Sequence, residues 1–176
     1  MWRPVLLGVF CLLAAASPAD ARASTLETSV KATYIYKLAP FVTWPQSDPA
    51  KPFVICVVGA DPFGAVLDQA VAGQVYAQRP IQVTRLDAVN PQSGCDIAYL
   101  GGSHAQPVEA ALQALHGTPV LTVTDENAPD GIIAFRLSGG HVRFRVDQEA
   151  ADNAGLTISS KLLDLALSVR TKGGRP

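Results

Sequence analysis

Residues 53–63 read Phe53-Val54-Ile55-Cys56-Val57-Val58-Gly59-Ala60-Asp61-Pro62-Phe63, an unbroken apolar run closed by a turn. Apolar residues with no polar alternate between them are the pattern of a strand covered on both faces, as in a parallel sheet. Beyond the turn, Phe63, Val66, Leu67, Ala70 and Val71 are spaced for a helix that Gly73 closes, with Asp61 as its cap and Pro62 near its start. Upstream, Leu26, Val30, Tyr34 and Leu38 recur every fourth residue, and Glu27 stands four before Lys31. That spacing predicts an amphipathic helix over 25–38 with a favourably ordered ion pair, ended by Pro40 and Trp44-Pro45.

Downstream the rhythm repeats. Short strands are expected at Val75-Tyr76, at Ile81 to Thr84 and at Asp96 to Leu100. A helix follows with Val108, Ala111, Leu112 and Leu115 on one face, ending at His116-Gly117, and Pro119 to Thr124 forms the next strand. Strands alternating with helices indicate an α/β fold built on a mostly parallel sheet, a single three-layer Rossmann-like domain. The pattern then changes: Ile132 to Leu137, Gly139-Gly140 and His141 to Val146 predict a C-terminal antiparallel hairpin. Val142, Phe144 and Val146 point to one side of it; His141, Arg143 and Arg145 point to the other. Gln148 to Ala154 predicts a short helix. A last helix, capped by Ser159 or Ser160, carries Leu162, Leu165, Ala166 and Val169 on one face, and Thr171 to Pro176 is a tail.

Composition narrows the class. The chain has 176 residues, 48% hydrophobic and 16% charged, with a formal charge of −1. It is too apolar to be disordered, and it lacks the positive charge of a nucleic-acid binder. Arg3 precedes an uncharged run from Val5 to Ala16, too short for a membrane span but suited to the core of a secretory signal peptide. Small residues at Ala19, Ala21 and Ala23 fit a cleavage site, so residues 1–23 read as a leader and 24–176 as an exported domain. The competing reading is a short buried N-terminal helix. Phe10 before Cys11 disfavours lipid attachment. Cleavage removes Arg3, Asp20 and Arg22, leaving the remainder one unit more acidic than the whole chain.

Cleavage also leaves two cysteines, Cys56 and Cys95. An even pair in an exported domain favours a disulfide, with two buried thiols as the alternative. No CxxC or HxxxH pair exists to hold zinc, and no metal or cofactor is expected. The glycine-containing turn 59–64 lacks the Lys-Ser/Thr of a phosphate loop and does not match GxGxxG. Ser103-His104 is not a nucleophile elbow, and His104, His116 and His141 stand apart in sequence, so no catalytic set is recognisable. Asp61, Ser103 and Asp125 each fall just past the C-terminal end of a predicted parallel strand, the edge where open α/β sheets bind ligands. Ordinary helix capping explains the same three positions.

Several segments together resemble the YfiR family. They are Val30-Lys31-Ala32-Thr33-Tyr34-Ile35-Tyr36-Lys37 running to Phe41-Val42-Thr43-Trp44-Pro45, then Phe53 to Cys56 with Gly59-x-Asp61-Pro62-Phe63. Cys95 to Leu100, Pro119 to Asp125, Gly140 to Phe144 and Ala151 to Leu163 complete the likeness in order. The resemblance implies a periplasmic, non-catalytic regulator that binds the sensory domain of a membrane-bound diguanylate cyclase and represses cyclic-di-GMP synthesis. It further implies relief by envelope or redox stress through an outer-membrane lipoprotein, a capacity to form homodimers, and a Cys56–Cys95 bridge. Some members carry a second disulfide later in the chain, for which this sequence has no cysteines. Two surfaces are candidates for the partner: the Arg143/Arg145 face, and Gln148, Glu149, Asp152 and Leu156 after the hairpin. Both read equally well as solvated structure. A small-molecule sensor using Asp61, Ser103 and Asp125 is the alternative function.

Overall fold

From Phe53 to Val58 the side chains are buried toward both faces, Val54 less than the others, so the rest of the chain must cover two sides of one strand. A computed structural model describes residues 18–45 and 48–173. The apolar core of the expected leader, residues 5–16, lies outside them. In chain order come helix α1 (Pro18–Lys37), a 3₁₀ turn (Ala39–Phe41), and strands β1 (Val42–Thr43) and β2 (Phe53–Gly59). Next are α2 (Ala65–Val71), β3 (Val75–Tyr76), β4 (Arg79–Leu86), β5 (Ile97–Gly102), α3 (Val108–Leu115) and β6 (Leu121–Thr124). The chain ends with β7 (Ile133–Ser138), β8 (His141–Asp147), α4 (Gln148–Asn153), β9 (Thr157–Ile158), α5 (Ser160–Leu165) and β10 (Ser168–Arg170).

The main sheet has the order β10-β8-β7-β6-β5-β2-β4-β3. The neighbours from β4 through β2, β5 and β6 to β7 are parallel, and β7 turns into β8 through an antiparallel hairpin. Gly139 and Gly140, both at positive φ, form its two-residue turn, a geometry that side chains resist. Alternation along β2 divides the core. Phe53, Ile55 and Val57 join Ile97, Leu121, Ile133 and Phe135 beneath Ile35 of α1 and Leu67 of α2. Cys56 and Val58 join Ala98 and Leu100 beneath Ala111 and Leu115 of α3. The buried stripe of α1 runs through Ala32 and Ile35 and continues past its end at the expected Leu38 and at Ala39; Val30 and Tyr34 flank it, and Leu26, expected on the same face, is exposed.

Three expectations need correction. The last helix does not run to Val169: α5 ends at Leu165, Ala166 is extended, and Ser168–Arg170 pairs in parallel with β8. The open edge of β8 supplies backbone partners that outweigh helical spacing, and the Leu167 N–H donates to the Phe144 carbonyl at 2.8 Å. A second small sheet, β1 with β9, was not expected; it ties the segment after α1 to the C-terminal region. Asp61 shapes the turn before α2 by accepting from the N–H groups of Phe63 (2.8 Å) and Gly64 (3.0 Å), and the cap position itself is Gly64.

Cys56 and Cys95 form a disulfide with their Cα atoms 5.7 Å apart. Beside it, Asp96 accepts from the Val54 N–H (2.7 Å) and from the guanidinium of Arg79 (2.9 Å). Arg79 is buried, donates to the carbonyls of Lys51 and Pro52, and lies over the Phe53 ring at 5.2 Å. Its charge is thus paired, its donors are used, and the aromatic face adds a further attraction.

For a bridge with a sequence separation of 39, the chain-entropy model gives about 4 kcal/mol of stabilisation. Cys95→Ser should therefore lower unfolding stability by about 2–5 kcal/mol in oxidising buffer. Urea unfolding of the variant beside the wild type measures this, and an unchanged midpoint would contradict it.

Candidate functional site

The sheet reverses its strand order at β2: the chain lays β4 on one side of it and then crosses to place β5 on the other. The crevice outside the strand ends at such a reversal is the usual ligand position of an open α/β sheet. Here backbone fills it. The Ala60 N–H donates to the Gly102 carbonyl at 2.8 Å. A Cβ on Gly59 would lie 2.3 Å from the Gly102 oxygen, and one on Gly101 would lie 2.0 Å from the Ala60 oxygen. Only glycine allows the two turns to meet so closely.

The polar residues expected at this edge are each engaged and do not share one pocket. Asp61 pairs with Arg85, whose Nε lies 2.7 Å from its carboxylate, and Arg85 also bridges to Asp68 and the Gly64 carbonyl. Burial pushes the Asp61 carboxyl up, but the Arg85 hydrogen bond and the two turn N–H groups outweigh it and hold it below its usual range. Ser103 donates to the Asp87 carbonyl (3.1 Å) and accepts from the Gln106 N–H (3.0 Å), closing its own turn.

Asp125 has a different environment. Its carboxylate accepts from Lys31 Nζ at 2.7 and 2.8 Å and from the Tyr99 hydroxyl at 3.3 Å. Lys31 is 6% exposed and is also held by Glu27 one helical turn earlier. Burial pulls the Lys31 pKa down, yet the hydrogen bonds to Asp125 and Glu27 raise it above its ordinary value. Burial, reinforced by the nearby Asp125 charge, pushes the Tyr99 phenol up, so it stays a neutral donor. The group lines a cleft of about 560 Å³ with Glu109, Glu126, Pro129 and Leu137. The Glu27–Lys31 spacing signalled half of this network. The need for a further partner follows from Lys31 standing four before Ile35, on the buried stripe of α1, but nothing local identifies that partner as Asp125.

The partner candidates divide in two. Gln148 and Glu149 open α4, whose cap is Asp147, and Asp152 is exposed near its end. Leu156 is 1% exposed and packs in the main core, so its side chain is not at the surface. Arg143 and Arg145 are exposed on the outer face of β8. On that face Arg143 stands opposite Arg136, and Arg145 stands between Ala134 and Ser168. Among the described residues, no three His, Cys, Asp or Glu side chains gather as a metal set, and no helix is long and apolar enough to cross a membrane.

Two measurements test the ion pairs. Lys31→Ala leaves Asp125 and Glu27 facing each other without a cation and should cost about 2 kcal/mol of stability, read by chemical unfolding at neutral pH. Because the folded pKa of Asp61 is depressed, its contribution is present above the unfolded value of about 3.9 and is lost as pH falls through the folded value. Asp61→Asn should therefore flatten the acid limb of the melting temperature below about pH 4, and an acid limb as steep as the wild type's would contradict the assignment.

A comparison with curated proteins finds no match. The YfiR/HmsC-like family model matches residues 28–167. That span runs from the buried stripe of α1, with Lys31, through every strand of the sheet up to Leu167 before β10, and takes in the disulfide, the Asp125 cleft and the arginine face. With the greater part of its length matched, the chain belongs to the YfiR/HmsC-like family.

Proposed function

We propose that this protein is a periplasmic negative regulator that binds the sensory domain of a membrane-bound diguanylate cyclase and lowers cyclic-di-GMP synthesis. The observation that carries this reading is the family match across residues 28–167. In the same reading residues 1–23 are a cleaved leader, and residues 24–176 are one exported domain with Rossmann-like layering. An outer-membrane lipoprotein is the relieving partner, and the protein can pair with a second copy.

A regulator of this kind needs no chemistry of its own. It acts by binding the inactive conformation of its target better than the active one. Converting a mostly active population to a mostly inactive one takes roughly 5 kcal/mol of differential affinity, within reach of an ordinary protein interface. The disulfide fits a rigidifying role: Cys56 is 0% and Cys95 9% exposed, so attack by a reducing thiolate requires prior opening of the fold.

The cleft at Lys31, Tyr99 and Asp125 supports a second reading, a small-molecule sensor, to which Asp125 contributes while Asp61 and Ser103 do not line it. The two readings are compatible in one molecule.

The test is direct binding. The purified chain 24–176 should co-elute with the periplasmic domain of the diguanylate cyclase in oxidising buffer, and its deletion should raise cellular cyclic-di-GMP. Absence of both effects would remove the regulator reading.

A further inference from the structure

Parallel neighbours in a sheet are normally joined by a crossover of a dozen or more residues, usually a helix that covers one face. Residues 125–132 join β6 to β7 without one. They can do so because the strands are offset: Val123 and Thr124 at the end of β6 stand beside Ile133 and Ala134 at the start of β7. Helix α3 covers the second face over β5 and β6; farther out on that face Ala134 and most of Arg136 on β7 are covered, while Arg143 and Arg145 of β8 and Ser168 and Arg170 of β10 are exposed.

The registers say what lies on it. Arg136 stands directly opposite Arg143, Ala134 opposite Arg145, and Ser168 of β10 beside Arg145 on its other side. Arg170 comes next along β10, level with Asp147. Arg136 and Arg170 have close carboxylate partners, Asp130 and Asp147. Arg145 reaches only the already engaged Asp130, at 3.9 Å, and Arg143 makes no ion pair among the described residues. The four guanidiniums thus have Asp130 and Asp147 as their ion-pair partners, with the charge of Glu149 also acting on Arg170, and Arg143 and Arg145 are the least compensated.

This arrangement works against the fold. Like charges directly opposite across a strand pair are destabilising, and stability alone would favour a polar or oppositely charged partner at one of the two positions. Asp130 compensates Arg136, but Arg143 opposite it has no ion pair among the described residues, and a local rule broken in this way marks a site with another use. The exposed flanking residues, Ser138 and Ser168, are small and leave the heads of Arg143 and Arg145 accessible. None of them is an apolar anchor suited to insertion into lipid, and planar guanidiniums favour bidentate carboxylate recognition.

We infer that the exposed face of β8 and β10 is a docking surface for a carboxylate-rich protein segment, with Arg143 and Arg145 as its principal contacts. The inference rests on the regulator reading for the identity of the partner, the periplasmic domain of the cyclase, and takes its chemistry from the face itself.

The experiment measures binding of that cyclase domain and, separately, of poly-L-glutamate, at about 50 and 300 mM salt, conditions that bracket strong and weak screening. Wild-type protein should bind both probes, at least tenfold more weakly at the higher salt. Arg143→Glu with Arg145→Glu should lose at least tenfold in affinity for each at low salt. Arg143→Gln with Arg145→Gln should fall between, and a Lys37→Gln, Lys161→Gln variant, which removes the same charge elsewhere, should stay within about threefold of wild type. Near-ultraviolet circular dichroism verifies that each variant is folded. If the cyclase domain binds wild type and the Glu variant equally, the docking inference is overturned while the regulator reading stands. If poly-L-glutamate binds in an arginine-dependent way but the cyclase domain does not bind, the regulator reading fails and the acid-binding face stands. Binding of neither probe overturns the face, as does arginine-dependent binding to phosphatidylglycerol vesicles without binding to poly-L-glutamate.

Discussion

Strand β5 is fastened to β2 at both ends, and the sheet depends on that pair of attachments. At its start, Cys95 is bonded to Cys56 while Asp96 meets both the N–H and the carbonyl of Val54. At its far end, Gly101 and Gly102 lie against Gly59 and Ala60 with no room for a side chain. The first attachment uses a covalent bond and a buried charge pair, the second only the absence of Cβ atoms. Together they set the relation of the two strands on which the two hydrophobic clusters are built. The same closure removes the crevice that related architectures use for ligands. What remains at that end of the sheet is the Lys31–Asp125 cleft to one side.

The distribution of charge follows from the same architecture. Lys31 and Arg79 are buried and fully engaged, each joining segments far apart in sequence, and each therefore reads as structural. Arg143 and Arg145 of β8 belong to the opposite class, exposed and with at most a distant carboxylate. In one small domain the same residue type thus serves both as internal cross-link and as exposed charge. Burial and the number of available carboxylates tell the two uses apart.

Much of this was legible in the residues. The uninterrupted apolar run of β2 announced two-sided burial, the spacing of Val108 to Leu115 gave α3 its limits, and Gly139-Gly140 marked the hairpin turn. The cysteine pair followed from parity and an inferred compartment. The illegible parts were long-range. A helical spacing at Leu162, Leu165, Ala166 and Val169 could not register that β8 would present an unfilled edge to the chain returning past it. Leu156 looked like part of an exposed segment because sequence shows polar neighbours and not what lies beneath them. Lys31 and Asp125 are separated by 94 positions, and no local pattern joins such a pair.

The Cys56–Cys95 bond also divides the molecule topologically. It closes a covalent ring that contains α2, β3 and β4, the whole of the sheet on one side of β2, while everything from β5 onward lies outside it. A single proteolytic cut in the exposed turn at residues 90–94, within the ring, would leave the two products joined through sulfur. Such a nicked molecule would keep its strand order and its arginine face, and would come apart only on reduction.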